Sequence, residues 1–295
     1  MVIKRSFGEK VFDVFNYILL GILLILTLYP IIYIVNASLS NSILMETDRT
    51  TLLLWPKGFN LNAYVKVMTN PNIISGYTNT IIVVLCATAL NIVITSMAAY
   101  IISRKHFAFA KIMTLLIVFT MYFSGGMIPR YLLINNTLHM GNSLFALIIP
   151  GAISTWNLLV MKTNFADLPV SLEESAKLDG ANDITILFKI VLPLSKAIIA
   201  IMILFYGVAH WNAWFDAVLF IRDREKYPLQ LILRELLISN NTNSMTMDVA
   251  GADQWAVGES VKYATMVVAT LPILCVYPFV QKHFVKGVLS GAVKG

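Results

Sequence analysis

Charge is scarce in this sequence. Asp, Glu, Lys and Arg make up 13% of its 295 residues, about half the share found in soluble domains. The shortage is also uneven, because none of the four occurs in 14–45, 67–103, 112–129, 131–161, 197–215 or 263–281. Cysteine is nearly absent: Cys86 and Cys275 both lie in apolar runs without CxxC spacing, which excludes a disulfide framework or a zinc site and reads as two core thiols. No Gly-Lys dipeptide occurs, so the phosphate-cradling loop of an ATPase is missing, and GxSxG, HExxH and GxGD are missing with it. The chain is therefore expected not to be an enzyme, and no metal site is expected. Acidic and histidine side chains are almost absent from the middle of the apolar runs, where an ion-coupled carrier would usually place them.

What the sequence does contain is apolar surface: 58% hydrophobic residues and a mean hydropathy of +0.74. At about 20 apolar residues per crossing, this length holds about six helices with modest loops and leaves no room for a separate soluble enzyme. The expected fold is all-α, a single transmembrane domain over 1–295, with spans near 15–35, 77–102, 112–127, 144–161, 197–215 and 263–280. Six crossings put both termini on one side. Of the 22 Lys and Arg and 16 Asp and Glu, 13 and 7 fall on that side and 9 and 9 on the other, so the net charge of +6 belongs entirely to the terminal side. That side is cytoplasmic by the positive-inside rule. The same bias accounts for the basic pI without nucleic acid. The first apolar run continues to Pro30 and Ile34 with no clear cleavage site, and it reads as a retained helix rather than a signal peptide. Prolines 30, 150, 272 and 278 lie in apolar runs, where kinks are expected. No internal repeat is visible.

The polar loop 162–196 carries the strongest local signal. Ser171 and Glu174 have the spacing of a capping box, Glu174 and Lys177 stand three apart, and Gly180 is placed to end a helix in the left-handed conformation. The spacing predicts a helix from about Leu172 to Asp179. At about 12 Å it is too short to span and is expected to lie along the cytoplasmic surface. A second helical turn is expected from Asn182 or Asp183 to Pro193, which introduces the fifth span.

Glu174-Ser175-Ala176, three residues, Gly180, nine residues, then Ile190-Val191-Leu192-Pro193 resembles the EAA pattern of ABC importer membrane subunits, with Ser175 in place of the usual alanine. Leu178-Asp179-Gly180-Ala181, Trp211-Asn212, Tyr227-Pro228-Leu229-Gln230 and the segment from Tyr277-Pro278-Phe279 to Lys294-Gly295 are similar to the carbohydrate-uptake permeases, in the branch for complex oligosaccharides and polysaccharide fragments. The resemblance covers the chain from residue 10 onward. It implies the type I importer permease fold in a bacterial cell membrane, a homologous second permease in a heterodimer, two ATPase subunits that bind the ATP and Mg, and an extracellular solute-binding protein. It also implies that Glu173, Glu174, Ser175, Ala176, Asp179, Gly180, Ile190, Leu192 and Pro193 form the element that couples to the ATPase, with Glu174 meeting a basic residue there. Lys294 and Gly295 would contact the ATPase, and Asp248, Asp253, Gln254 and Trp255 would contact the binding protein.

Sugars are held by aromatic faces and amides. Two places bring such groups together: Tyr206, His210, Trp211, Asn212, Trp214 and Asp216 around the fifth span, and Trp156 with Asn157 in the fourth. The same residues also suit an interfacial belt or helix-to-helix hydrogen bonds. An ion-coupled carrier and a non-transporting membrane subunit are the alternatives, and neither uses the loop motif. The identity, length and charge of the sugar are not legible.

Overall fold

The computed structural model describes residues 6–47, 52–104, 106–238, 258–276 and 278. Among these residues the secondary structure is helical, and one antiparallel bridge joins Ser40 and Phe59. The chain, read from sequence as a single domain, divides into two compact units: 1–70 with 235–270, and 71–234 with 271–295.

In the first unit, α1 (Phe7–Ser38) opens with a full capping box. Ser6 accepts from the Glu9 amide, and the Glu9 carboxylate accepts from the Ser6 amide, which satisfies two of the free donors of the first turn. The polar connector after it folds back on the helix end: Asn36 donates to the Leu53 carbonyl, and the hydroxyls of Ser38 and Tyr64 lie 2.6 Å apart. Gly58 stands at φ +61° in the Trp55–Gly58 turn, a conformation that costs glycine nothing.

The second unit is organised around α2 (Pro71–Ser103), which starts at a proline with its φ already suited to a helix. At 33 residues it is about 50 Å long, more than a bilayer core. The next helix, α3 (Ala110–Tyr122), ends at Phe123-Ser-Gly-Gly126, where Gly126 has φ +85° and the chain turns by 109° into α4 (Met127–Thr137). Then come α5 (Thr155–Ala166), α6 (Val170–Leu178), α7 (Asp183–Leu194) and α8 (Lys196–Trp211), with α7 and α8 bent by 87° at Ser195. The core of this unit joins Ala99, Tyr100, Leu158, Phe165, Ile186 and Met202, and so ties α2, α5, α7 and α8 together. α9 (Leu229–Ile238) begins in this unit, and α10 (Gly258–Val276) falls mostly in the first.

Among the described residues three helices, α1, α2 and α10, are long and apolar enough to cross a membrane, or up to five if each bent pair counts as one span. Two expected spans differ from the sequence reading. The third is not one helix over 112–127, because Gly125 and Gly126 break it. The fourth is not one helix over 144–161: it consists of Phe145–Ile148 and α5, separated by six non-helical residues around Pro150-Gly151. Proline removes a donor and glycine weakens the helix, so the pair interrupts it. Cys86 and Cys275 are exposed free thiols rather than core residues.

Candidate functional site

The expected surface helix is present as α6, but its start is built differently from the sequence reading. It begins two residues earlier, with Pro169 at the cap and no side-chain cap bond, so the Ser171–Glu174 capping box does not form. Pro169 needs no donor satisfied, and its fixed φ sets the entry instead. The end is as expected: Gly180 lies at φ +84°, and the amides of Gly180 and Ala181 donate to the carbonyls of Lys177 and Ala176, a glycine-terminated helix end. Asn182 caps α7 by accepting from the Thr185 amide. Lys177 pairs with Asp183 at 3.0 Å and not with Glu174.

The two adjacent glutamates of α6 face opposite ways. Glu174 is exposed, together with Ser175 and Asp179, and Ala176 is partly covered. Glu173 is the only buried residue of the helix, and its carboxylate lies 2.7 Å from the Arg104 guanidinium just past the end of α2, with both side chains 8% exposed. Arg104 also donates to the Phe165 carbonyl and lies over the Tyr100 ring at 4.5 Å, while the Tyr100 hydroxyl donates to Asp183. Glu173 is thus turned toward the bundle, whereas its neighbour Glu174 is turned outward. Sequence reasoning missed Arg104; the first charge after a 37-residue charge-free run (67–103) was the available signal. Ile190 and Leu192 pack against the core from α7, and Pro193 follows near the bend.

The aromatic and amide candidates divide in the same way. Tyr206 and His210, four apart on α8, meet Thr95 and Asn91, four apart on α2: the Tyr206 and Thr95 hydroxyls are 2.7 Å apart, and His210 Nε2 is 2.7 Å from Asn91 Oδ1. Both pairs also serve the broken fourth span. Asn91 donates to the Gly151 carbonyl at 2.6 Å, and the Ser154 amide donates to the Tyr206 hydroxyl at 3.1 Å. Backbone freed inside an apolar run is costly unless protein satisfies it. Asn91, Thr95 and Tyr206 are buried, as are Asn157 and Trp211, the latter edge-on to Tyr77. Trp156 and Asn212 are exposed, Trp214 lies under the Arg234 guanidinium at 3.9 Å, and Asp216 makes a two-pronged pair with Arg130 at 2.7 and 2.8 Å. Beyond them Asp223 accepts from Lys226 and Asn142, and the Lys226 hydrogen bond, then that of Asn142, holds its carboxyl below the usual range.

Asp248, Asp253, Gln254, Trp255, Lys294 and Gly295 lie outside the described residues. Among the described residues no group of three or more His, Cys, Asp or Glu is placed to hold a metal.

A short polar helix carried between apolar helices is matched by a known family. Residues 107–290, which contain α6, match the model described as binding-protein-dependent transport system inner membrane component. The chain belongs to that family. This inner membrane component is 40% identical over 289 residues to Protein LplC of Bacillus subtilis (strain 168), covering 97% of this chain and 96% of LplC. It is 39% identical over 287 residues to the polygalacturonan/rhamnogalacturonan transport system permease protein YtcP of the same organism, covering 97% and 99%. A chain in the crystal structure of a bacterial ABC transporter involved in the import of the acidic polysaccharide alginate superposes with a TM-score of 0.86 at 31% identity, covering 95% of this chain and 99% of that one. The permease is thus a membrane component of an ABC importer that works with a solute-binding protein and an ATPase, and it is not itself an enzyme. The comparisons favour this reading over an ion-coupled carrier.

Proposed function

We propose that this permease carries an oligosaccharide or polysaccharide fragment across the bacterial cell membrane, released to it by an extracellular binding protein and driven by ATP and Mg bound in two separate ATPase subunits. A second, homologous permease completes the path as a heterodimer. Both termini and α6 face the cytoplasm, in keeping with the basic excess on that side. The sugar class rests on the names of the relatives, which include a polygalacturonan/rhamnogalacturonan permease and an alginate importer.

The observation that carries the coupling role is α6 itself: nine residues, glycine-ended, with Glu174, Ser175 and Asp179 presented outward and one glutamate anchored inward. A helix exposed on one side and fixed on the other suits docking in a cleft of the ATPase, where Glu174 meets a basic group. The absence of any Gly-Lys dipeptide assigns hydrolysis to that other chain. Alternation follows as a population shift, with ATP and loaded binding protein favouring the outward-open state and hydrolysis restoring the inward-open one. In the conformation described, Tyr206, His210, Asn157 and Trp211 are engaged between helices, so sugar contact falls to Trp156, Asn212 and Trp214 unless α2 and α8 part.

The test is purification of the chain from its native membrane in mild detergent, with mass spectrometry of what accompanies it, for wild type and Glu174→Ala in parallel. An ATPase and a second permease should accompany wild type, with ATPase recovery reduced by about tenfold in the variant, the loss of one charge-assisted contact. Wild type without an ATPase, under conditions that keep other complexes whole, overturns the coupling role of α6.

A further inference from the structure

We infer that Arg104 is a positioning residue for ATP coupling: by holding Glu173 it makes α6 and α2 one rigid body, so that displacement of the docking helix reaches the far end of α2. The inference rests on the coupling role proposed for α6 and adds the residue through which the helix acts.

Three observations carry it. First, α6 has a single buried residue, Glu173, and its charge partner is Arg104. Ala176 adds only a small apolar contact with the core, and the Lys177–Asp183 pair is exposed and joins α6 only to the start of α7. The Arg104–Glu173 pair is therefore the main tie between the docking helix and the bundle. Second, Arg104 is fixed from several sides, by the Phe165 carbonyl of α5 and by the Tyr100 ring of α2, whose hydroxyl also reaches Asp183 of α7. Nη1 meets both the carbonyl and the carboxylate, the latter as an ion pair without an aligned hydrogen bond, while Nε and Nη2 are buried without a hydrogen-bond partner. The ring stacks on the planar guanidinium and orients it in a way that a lysine on a flexible stem would not allow.

Third, the opposite end of α2 is tied to the segment preceding and opening α9. The Asn79 side-chain amide donates to the carbonyls of Glu225 and Tyr227 at 2.7 and 3.2 Å, and the Leu229 amide donates to the Thr80 hydroxyl at 2.8 Å. Gly76 lets the two backbones approach, since a Cβ there would come within 3.2 Å of the Leu229 Cα. From Asn79 to Arg104 the helix rises about 37 Å. An unbroken helix of that length, fixed at both ends, passes a displacement on as a body, whereas α3–α4 and α7–α8 are interrupted by bends of 109° and 87°.

The test uses the whole importer reconstituted in lipid, with Cys86 and Cys275 replaced by serine and spin labels at Ser171→Cys in the first turn of α6, outside the set Glu174, Ser175 and Asp179, and at Thr78→Cys on α2, both exposed positions. The label-to-label distance distribution is measured without nucleotide and after trapping with Mg, ATP and vanadate. In the otherwise wild-type chain the distribution should stay narrow and unshifted between the two states. The double variant Arg104→Met/Glu173→Met removes both charges together, and replacing a buried pair by apolar groups of similar size usually leaves folding intact. It should keep the ATPase bound, yet broaden the distribution by about twofold, since α6 is no longer tied to α2. A wild-type distance that changes on trapping, or a double variant as narrow as wild type, overturns the inference while leaving the docking role of α6 standing. Loss of the ATPase from the double variant also overturns it, because the pair would then build the docking surface and not transmit from it. Failure of the docking role itself is read separately, as wild-type complex that contains no ATPase.

Discussion

α1 and α2 are alike in length and apolar composition, 32 and 33 residues without a charge in their central runs, yet they differ in what they touch. None of the most apolar window of α1 is buried within the chain, against 33% for α2. On α1 the central hydroxyl, Thr27, bonds back to its own Leu23 carbonyl. On α2, Asn91 and Thr95 bond outward to α8 and to the broken segment, and Arg104 closes the end. Hydropathy identifies both as membrane helices, and it is the polar residues that distinguish the helix organising a bundle from the helix whose apolar window is not buried by its own chain. In hydrocarbon, apolar side chains gain little by leaving lipid for protein, so packing is decided by close contacts and hydrogen bonds.

The difference can be broken at its strongest point by Asn91→Leu, which deletes the bond to His210 and leaves the Gly151 carbonyl without its partner. The expected loss is about 2 kcal/mol, combining two membrane hydrogen bonds with one orphaned carbonyl, read from unfolding titrations of the detergent-solubilised permease. Tyr206→Phe is a milder break, since it removes one hydroxyl shared by Thr95 and the Ser154 amide; about 1 kcal/mol is expected in the same titration. Leu26→Ala on α1 sharpens the contrast from the other side, because the residue is exposed and loses contacts only with its surroundings. Less than about 0.5 kcal/mol is expected. A loss at Leu26 equal to that at Asn91 would mean that α1 is packed as tightly as α2 in the folded permease, and the comparison would fail.

Much of the organisation is legible in the sequence because hydropathy and charge act locally. The charge-free runs locate α1, α2 and α10, Gly180 ends α6, and Asn182 starts α7. The errors have local causes that lose to neighbouring geometry. The S-x-x-E spacing at Ser171 signals a capping box, but Pro169 brings the helix in earlier and leaves Ser171 inside it. The Leu144–Met161 run is apolar enough to span, but Pro150-Gly151 opens it and side chains from two other helices supply the missing backbone partners. Glu173 and Glu174 are identical in type and adjacent in sequence, and no periodicity in a nine-residue helix separates the inward from the outward one.

By itself, the sequence determined that the chain is a membrane bundle, where its charge-free runs lie, and where the short helix with the EAA-like motif lies, because each depends on residue type and spacing along one segment. Only the tertiary structure decided that Arg104 meets Glu173, that Asn91 and Thr95 face His210 and Tyr206, and that the fourth run is broken and repaired. These contacts join residues 52 to 119 positions apart, and a hydrogen bond or ion pair is set by where two helices cross, a quantity that neither segment contains alone.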